Sequence, residues 1–174
     1  MSSGGIKSRW YAVQTRSNFE HCVCKELGEK GVENYCPAFS EIRQWADRKK
    51  KVERPVFPGY VFVRFMDSNE LRLRVLKTTG AVRLLGASNT IEPVPDYEID
   101  SLRKMLKVGR GWTPHAFLRD GSRVRVRRGA LKDAEGILVR HRDETRLVLS
   151  ISLFCKAVAT EVDAADVEVI PASR

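Results

Sequence analysis

His21, Cys22, Cys24, Cys36 and Cys155 are the side chains of this sequence best suited to chemistry, and their spacing decides how much of it they can do. A zinc site needs paired Cys or His ligands at short spacing, and a nucleophilic site needs a thiol with a base held beside it. No C-x-x-C pair occurs, and no His stands at ligand spacing from the cysteines. On a helix Cys22 and Cys24 would point about 200° apart, since each residue turns ~100°, so they cannot share one metal. His21 beside Cys22 hints at thiol chemistry, but reduced core cysteines are the commoner use of such residues. With no Gly-rich phosphate loop, metal-spaced cluster or nucleophile motif, the chain reads as a non-enzyme without metal or cofactor.

Charge points to a partner instead. The 174 residues carry 31 Lys plus Arg against 22 Asp plus Glu, a net charge of +9. Residues 1–118 hold 20 basic and 13 acidic side chains and the remainder 11 and 9, so most of the excess lies in the first part. A polyanion is the natural partner of such a surface, although a basic face is often only a solvated one. Hydrophobic residues at 43% and charged ones at 30% are the proportions of a folded soluble protein. Met1 to Arg9 contain no apolar run, and no stretch approaches the ~20 apolar residues of a membrane span. A cytoplasmic protein with no membrane partner is expected.

The elements that position these residues fall into two groups. Arg9 to Gln14 reads as a strand. Ser17-Asn18-Phe19-Glu20 reads as a capping box, with Phe19, Val23 and Leu27 forming a stripe and Gly31 the stop, which predicts a helix over 18–30. Val32 to Phe39 reads as a strand, Glu41 to Trp45 as extended, and Asp47 to Lys51 as a charged hairpin tip. In Arg54 to Phe65 the alternation places Val61, Val63 and Phe65 on one face and Tyr60, Phe62 and Arg64 on the other. Asp67-Ser68-Asn69-Glu70 caps a helix over 68–77, which Thr78-Thr79-Gly80 breaks. A short strand at 81–85 and a helix from Asp96, with Ile99, Leu102, Met105 and Leu106 on one side, complete the group. The order β-α-β-β-β-α-β-α predicts an α+β sandwich with helices on an antiparallel sheet.

Residues 108–118 carry Gly109, Gly111 and Pro114 without apolar period and read as a flexible linker. Beyond them the pattern is all-β: 123–127, 136–139, 147–153, 158–162 and 167–170. Five short strands in so short a segment predict a small β-barrel, because closure removes sheet edges.

These residues resemble a known family. Trp10-Tyr11 before a capped helix, F-P-G-Y-V-F-V-R-F at 57–65 and T-T-G at 78–80 are similar to the amino-terminal (NGN) domain of NusG-like transcription factors. Asp120 to Val126 and Ala134 to Val139 are similar to a KOW domain. The resemblance divides the chain into an NGN-like domain over 9–107, the linker over 108–118 and a KOW domain over 119–171. R-W-A-D-R-K-K at 44–50 and G-A-L-K-D-A-E-G-I-L-V at 129–139 look closest to specialised UpxY-like and RfaH-like antiterminators.

What the resemblance implies is a factor that binds RNA polymerase, suppresses pausing or termination, and works as a single copy. By position, Tyr60, Phe62 and Leu85 would dock on the clamp helices of the largest polymerase subunit, on a sheet face left bare for them. Arg16, Lys25, Thr78 and Thr79 would approach the non-template DNA strand. Leu153 and Phe154 stand where the family binds a small-subunit ribosomal protein or the Rho terminator, with Cys155-Lys156 replacing the usual Gly-Arg. Asp133 stands where relatives often have glycine, and Asp tolerates the left-handed backbone such a turn requires. A rival reading, an RNA-binding or ribosome-associated KOW protein, draws on R-V-R-V-R-R at 123–128.

Overall fold

A computed structural model describes residues 7–44, 49–87, 90–108, 112–115, 122–141, 144–151 and 156–170. It is a mixed α+β protein whose contacts divide it into two compact units, 1–95 and 96–174.

The first unit is built on a five-stranded sheet containing β1 (Arg9–Thr15), β2 (Glu33–Tyr35), β5 (Tyr60–Phe65), β6 (Ala81–Leu84) and β7 (Pro93–Val94), with order β2-β5-β1-β6 and β7 also on β1. β1 and β5 run antiparallel, with Trp10 opposite Arg64, Ala12 opposite Phe62 and Gln14 opposite Tyr60. The predicted alternation of β5 is observed. Val61, Val63 and Phe65 join Tyr11, Val13, Val23, Leu27, Val32 and Val75 in one buried cluster, so that α1 (Glu20–Glu29) and α2 (Asn69–Leu76) supply part of that core. Apolar side chains two apart on a strand and four apart on a helix meet because 2.0 and 3.6 are the two periods. The Tyr11 and Phe65 rings lie 4.8 Å apart within it.

The segments expected as single long strands are each split. Pro37 separates β2 from β3 (Ala38–Gln44), and the turn at 56–59 separates β4 (Lys49–Pro55) from β5. β3 and β4 pair only with each other, as a two-stranded antiparallel ribbon closed at its base by the Val56 N–H donating to the Pro37 carbonyl at 2.7 Å. Trp45 of the expected extended segment and Asp47 and Arg48 of the expected tip lie outside the described residues, while Lys49 to Lys51, also expected in the tip, pair with β3 as the start of β4.

In the second unit α3 (Asp96–Val108) precedes a six-stranded antiparallel sheet of order β13-β9-β10-β11-β12-β8. Its strands are β8 (Trp112–His115), β9 (Ser122–Val126), β10 (Glu135–His141), β11 (Glu144–Ile151), β12 (Lys156–Glu161) and β13 (Val167–Val169). Two expectations change here. The segment read as a flexible linker contains β8, hydrogen-bonded antiparallel to β12 from Trp112–Thr160 to His115–Ala157, and the sheet has six strands rather than five. Closure into a barrel is not found among the described residues, where β13 and β8 end the sheet. The helix assigned from sequence to the first domain groups with the second unit and packs on β10 and β11. Ser101 fixes it there: the main-chain N–H of Glu135 donates to the Ser101 hydroxyl at 2.9 Å. Asp133 has φ 64°, the left-handed conformation expected of it.

Candidate functional site

The aromatic face of β5 begins at a turn. Gly59, with φ 83°, takes a left-handed conformation that a side chain would strain. Its N–H donates to Glu20 Oε1 at 2.7 Å and its carbonyl accepts from the Thr15 N–H at 2.8 Å. The expected capping box is therefore not formed. Asn18 has φ 64°, Phe19 caps α1 without a side-chain bond, and Glu20 is buried with its carboxylate committed to the turn before β5.

On the face itself, Tyr60 is half-buried, Phe62 is fully buried and Leu85 is 7% exposed. The expectation of a bare ring surface is corrected at two of its three residues. Phe62 stacks with Tyr35 at 6.4 Å between centroids and meets Phe57 edge-on at 6.3 Å. Small Ala12 opposite it on β1 leaves room for these rings to close in. Leu85 is drawn to the same strand, since its N–H donates to the Ala12 carbonyl at 2.9 Å. Arg64 lies over the Trp10 ring, 5.9 Å from its centroid, and 3.9 Å from Glu33. The second face is thus a packed aromatic layer, and Tyr60 is its half-exposed margin.

The residues predicted to meet nucleic acid are partly brought together. The Arg16 N–H donates to the Gly80 carbonyl at 2.8 Å, which sets Arg16 beside the T-T-G turn, with its side chain exposed. Thr79 is exposed and its N–H donates to Glu26 Oε2 at 3.0 Å. Thr78 differs: it is buried, its hydroxyl accepts from Lys30 Nζ at 3.0 Å and donates to the Arg74 carbonyl at 3.3 Å. It shapes the turn from inside. Lys25 is exposed on α1. Sequence reading missed the cations that gather here, Lys30, Arg74 and Lys77, which line a surface cleft of ≈ 270 Å³. The signal was the spacing of Arg74 and Lys77, three apart at the end of α2 with Lys77 as its C-cap, but nothing local placed Lys30 beside them. Glu26 tempers the group, lying 2.8 Å from Lys30, and the hydrogen bonds from Lys30 and the Thr79 N–H hold its carboxyl below the usual carboxylate range. Gly80 packs so closely under Phe19 that an added Cβ would lie 2.5 Å from the ring.

In the second unit Leu153 and Phe154 lie outside the described residues. The basic strand β9 is well described. Arg125 forks onto Glu135 Oε1 at 3.0 and 2.6 Å, and Arg123 meets Oε2 of the same carboxylate at 3.3 Å while its guanidinium lies 4.7 Å from the Tyr97 ring centroid. Arg127 and Arg128 lie 3.7 and 3.9 Å from Glu168 and Asp166. Among the described residues no three His, Cys, Asp or Glu side chains group as metal ligands, and no helix is long and apolar enough to cross a membrane.

Comparison with known proteins gives one consistent result. Residues 8–103 match the NusG family model, described as transcription termination factor nusG. The chain is 30% identical over 174 residues to the transcription termination/antitermination protein NusG of Vibrio vulnificus (strain CMCP6), covering 93% of this chain and 96% of that one. It is 31% identical over 175 residues to the protein of the same name from Escherichia coli (strain K12), with the same coverage. Among solved structures, that titled "Domain interaction in Thermotoga maritima NusG" superposes with a TM-score of 0.51 at 22% identity, covering 97% of this chain and 100% of that one, a likeness of fold. The family model and the near full-length relatives agree with the fold, and the chain belongs to the NusG family of non-enzymatic transcription termination/antitermination factors.

Proposed function

We propose that this protein binds the clamp helices of the largest RNA polymerase subunit through the margin of the aromatic layer, with Tyr60 as the contacting ring and Phe62 and Leu85 as its packed floor. The observation that carries this reading is the half-exposed Tyr60 ring on a strand start held by the Glu20–Gly59 bond. A ring held in place before binding loses little freedom on docking, and aromatic anchors of that kind dominate interface energies. Bound only to the closed clamp, the factor biases the polymerase against pausing and termination by its differential affinity. Arg16, Lys25 and Thr79, with the Lys30, Arg74 and Lys77 cleft, then lie along the non-template DNA strand, where cations supply affinity without sequence discrimination. Thr78 supports that surface through its bond with Lys30.

The KOW-like unit recruits a second partner, a small-subunit ribosomal protein or Rho, with Leu153 and Phe154 as its contacts. Placement among the specialised UpxY-like and RfaH-like paralogs rests on residues 44–50 and 129–139, and the site of action is the cytoplasm. The RNA-binding alternative is weakened because Arg123 and Arg125 on β9, and Arg127 and Arg128 just after it, are matched by Glu135, Glu168 and Asp166 and so offer less net charge to phosphates. The test is capture of purified polymerase by the wild-type chain and by Tyr60→Ala, with Phe62→Leu as a control for the floor. Loss with Tyr60→Ala in a folded protein is expected. Undiminished capture by that variant overturns the docking assignment.

A further inference from the structure

Glu26 on α1 joins two donors that lie far apart in sequence. Its Oε1 lies 2.8 Å from Lys30 Nζ, and its Oε2 accepts the Thr79 main-chain N–H at 3.0 Å. An ammonium and a backbone amide converging on the two oxygens of one anion are the donors that proteins offer to a phosphate. Lys30 lines the cleft with Arg74 and Lys77, and Thr79 follows Lys77 by two positions.

A solvated ion pair one helical turn apart accounts for Glu26 and Lys30 alone. It does not account for the amide, which belongs to the T-T-G turn 53 positions away. The pair is weak where it stands, because the Glu26 and Lys30 side chains are 28% and 27% exposed and are screened by water and salt. Both donors are also held without it. Lys30 Nζ donates to the buried Thr78 hydroxyl at 3.0 Å, and that hydroxyl donates to the Arg74 carbonyl. The turn is closed by the Ala81 N–H on the Thr78 carbonyl at 3.0 Å and the Arg16 N–H on the Gly80 carbonyl at 2.8 Å. Rotating the carboxylate into solvent therefore leaves the ammonium and the amide in place.

We propose that Lys30 Nζ and the Thr79 N–H form a seat for one phosphodiester group of a single nucleic-acid strand, and that Glu26 is an internal anion occupying the seat until the strand displaces it. This seat presupposes the proposed path of the non-template strand along the cleft. A phosphate that enters exchanges one anion for another, so neither donor is left without an acceptor. The exposed side chains of Arg16 and Lys77, on either side of the turn, favour the exchange. A site held closed in this way answers to a strand presented at high local concentration rather than to one free in solution.

The experiment measures binding of a fluorescent single-stranded oligonucleotide by anisotropy over a range of salt concentrations. It compares the wild-type chain, Glu26→Gln, Lys30→Gln, the double variant of these two, and Arg74→Gln with Lys77→Gln. Glu29→Gln, which removes an equal charge from the exposed end of the same helix, is the control. Glu26→Gln is expected to bind about two- to fivefold more tightly. Its slope of log affinity against log salt should steepen by about 0.7, because Lys30 is freed for a phosphate. With Lys30→Gln already present, the effect of Glu26→Gln should shrink to that of the control.

The pair Arg74→Gln with Lys77→Gln reports on the cleft itself. Binding as tight as wild type, with an unchanged slope, removes the cleft reading and this proposal with it. Weaker binding by that pair, with Glu26→Gln gaining no more than Glu29→Gln, leaves the cleft standing and overturns the seat. The Thr79 amide signal of the isotope-labelled wild-type chain needs no variant to fold. It should move on adding the oligonucleotide and move less with inorganic phosphate at the same ionic strength. A Thr79 signal unmoved by saturating oligonucleotide overturns the proposal, as does one that moves equally with inorganic phosphate.

Discussion

Glu20 and Gly59 lie thirty-nine positions apart in sequence and are joined by a 2.7 Å hydrogen bond from the Gly59 N–H to the Glu20 carboxylate. The carboxylate is buried, so replacing Glu20 by Ala leaves the turn's amide without an acceptor away from water. The expected loss is about 1–3 kcal/mol of folding stability, read from urea denaturation. Glu20→Gln keeps an acceptor in place and loses less. Equal losses in the two variants would show that the bond contributes nothing beyond packing.

Gly80→Ala should be among the most damaging single-methyl additions in the first unit. Gly80 has φ 94°, and its new Cβ would sit 2.5 Å from the Phe19 ring. Backbone strain and steric overlap together cost roughly 1–3 kcal/mol. Shrinking Phe19 to Ala in the same chain relieves the overlap and leaves the strain. The double variant should therefore be less destabilised than the sum of the singles, and simple additivity would contradict the packing.

Acid weakens the link between α1 and the T-T-G turn. The hydrogen bonds from Lys30 and the Thr79 N–H lower the Glu26 pKa in the folded chain. A carboxylate lowered on folding contributes stability that is complete above its unfolded value, about 4.3, and is lost as pH falls through the folded value. The group is only partly covered, so the contribution is small and salt-screened. Glu26→Gln should be less stable than wild type at neutral pH and converge with it in acid. A gap between the two that stays constant down to about pH 2 rules this out.

Salt dependence tests the cleft of Lys30, Arg74 and Lys77. Each phosphate contact on single-stranded DNA contributes about 0.7 to the slope of log affinity against log salt concentration. Arg74→Gln with Lys77→Gln should lower that slope by about 1.4 for a single-stranded oligonucleotide, measured by fluorescence anisotropy. An unchanged slope would mean that neither cation meets the strand.

What the sequence disclosed was local. The alternation of β5 told which of its side chains share a face, and Ser68 caps α2 as its spacing implied, its hydroxyl accepting the Leu71 N–H at 3.3 Å. Where a distant group competes, the local pattern failed. Ser17 to Glu20 has the letters of a capping box, yet Gly59 takes the carboxylate and Asn18 turns left-handed. Alternation likewise assigns Phe62 to a face without saying that Phe57 and Tyr35 lie against it. β8 carries a proline and no apolar period, so only its pairing with β12 reveals a strand. The cleft was illegible for the same reason, because Lys30 and Arg74 meet only after α1 and α2 have packed on the sheet.

The ribbon of β3 and β4 bonds only to itself among the described strands, so the register of the main sheet does not depend on its length. Residues can be gained or lost in matched pairs along it, or exchanged near its far end, while the cluster around Val61 and Val63 keeps its packing. A family built on this plan can alter what one arm touches from one member to the next and still inherit the same body.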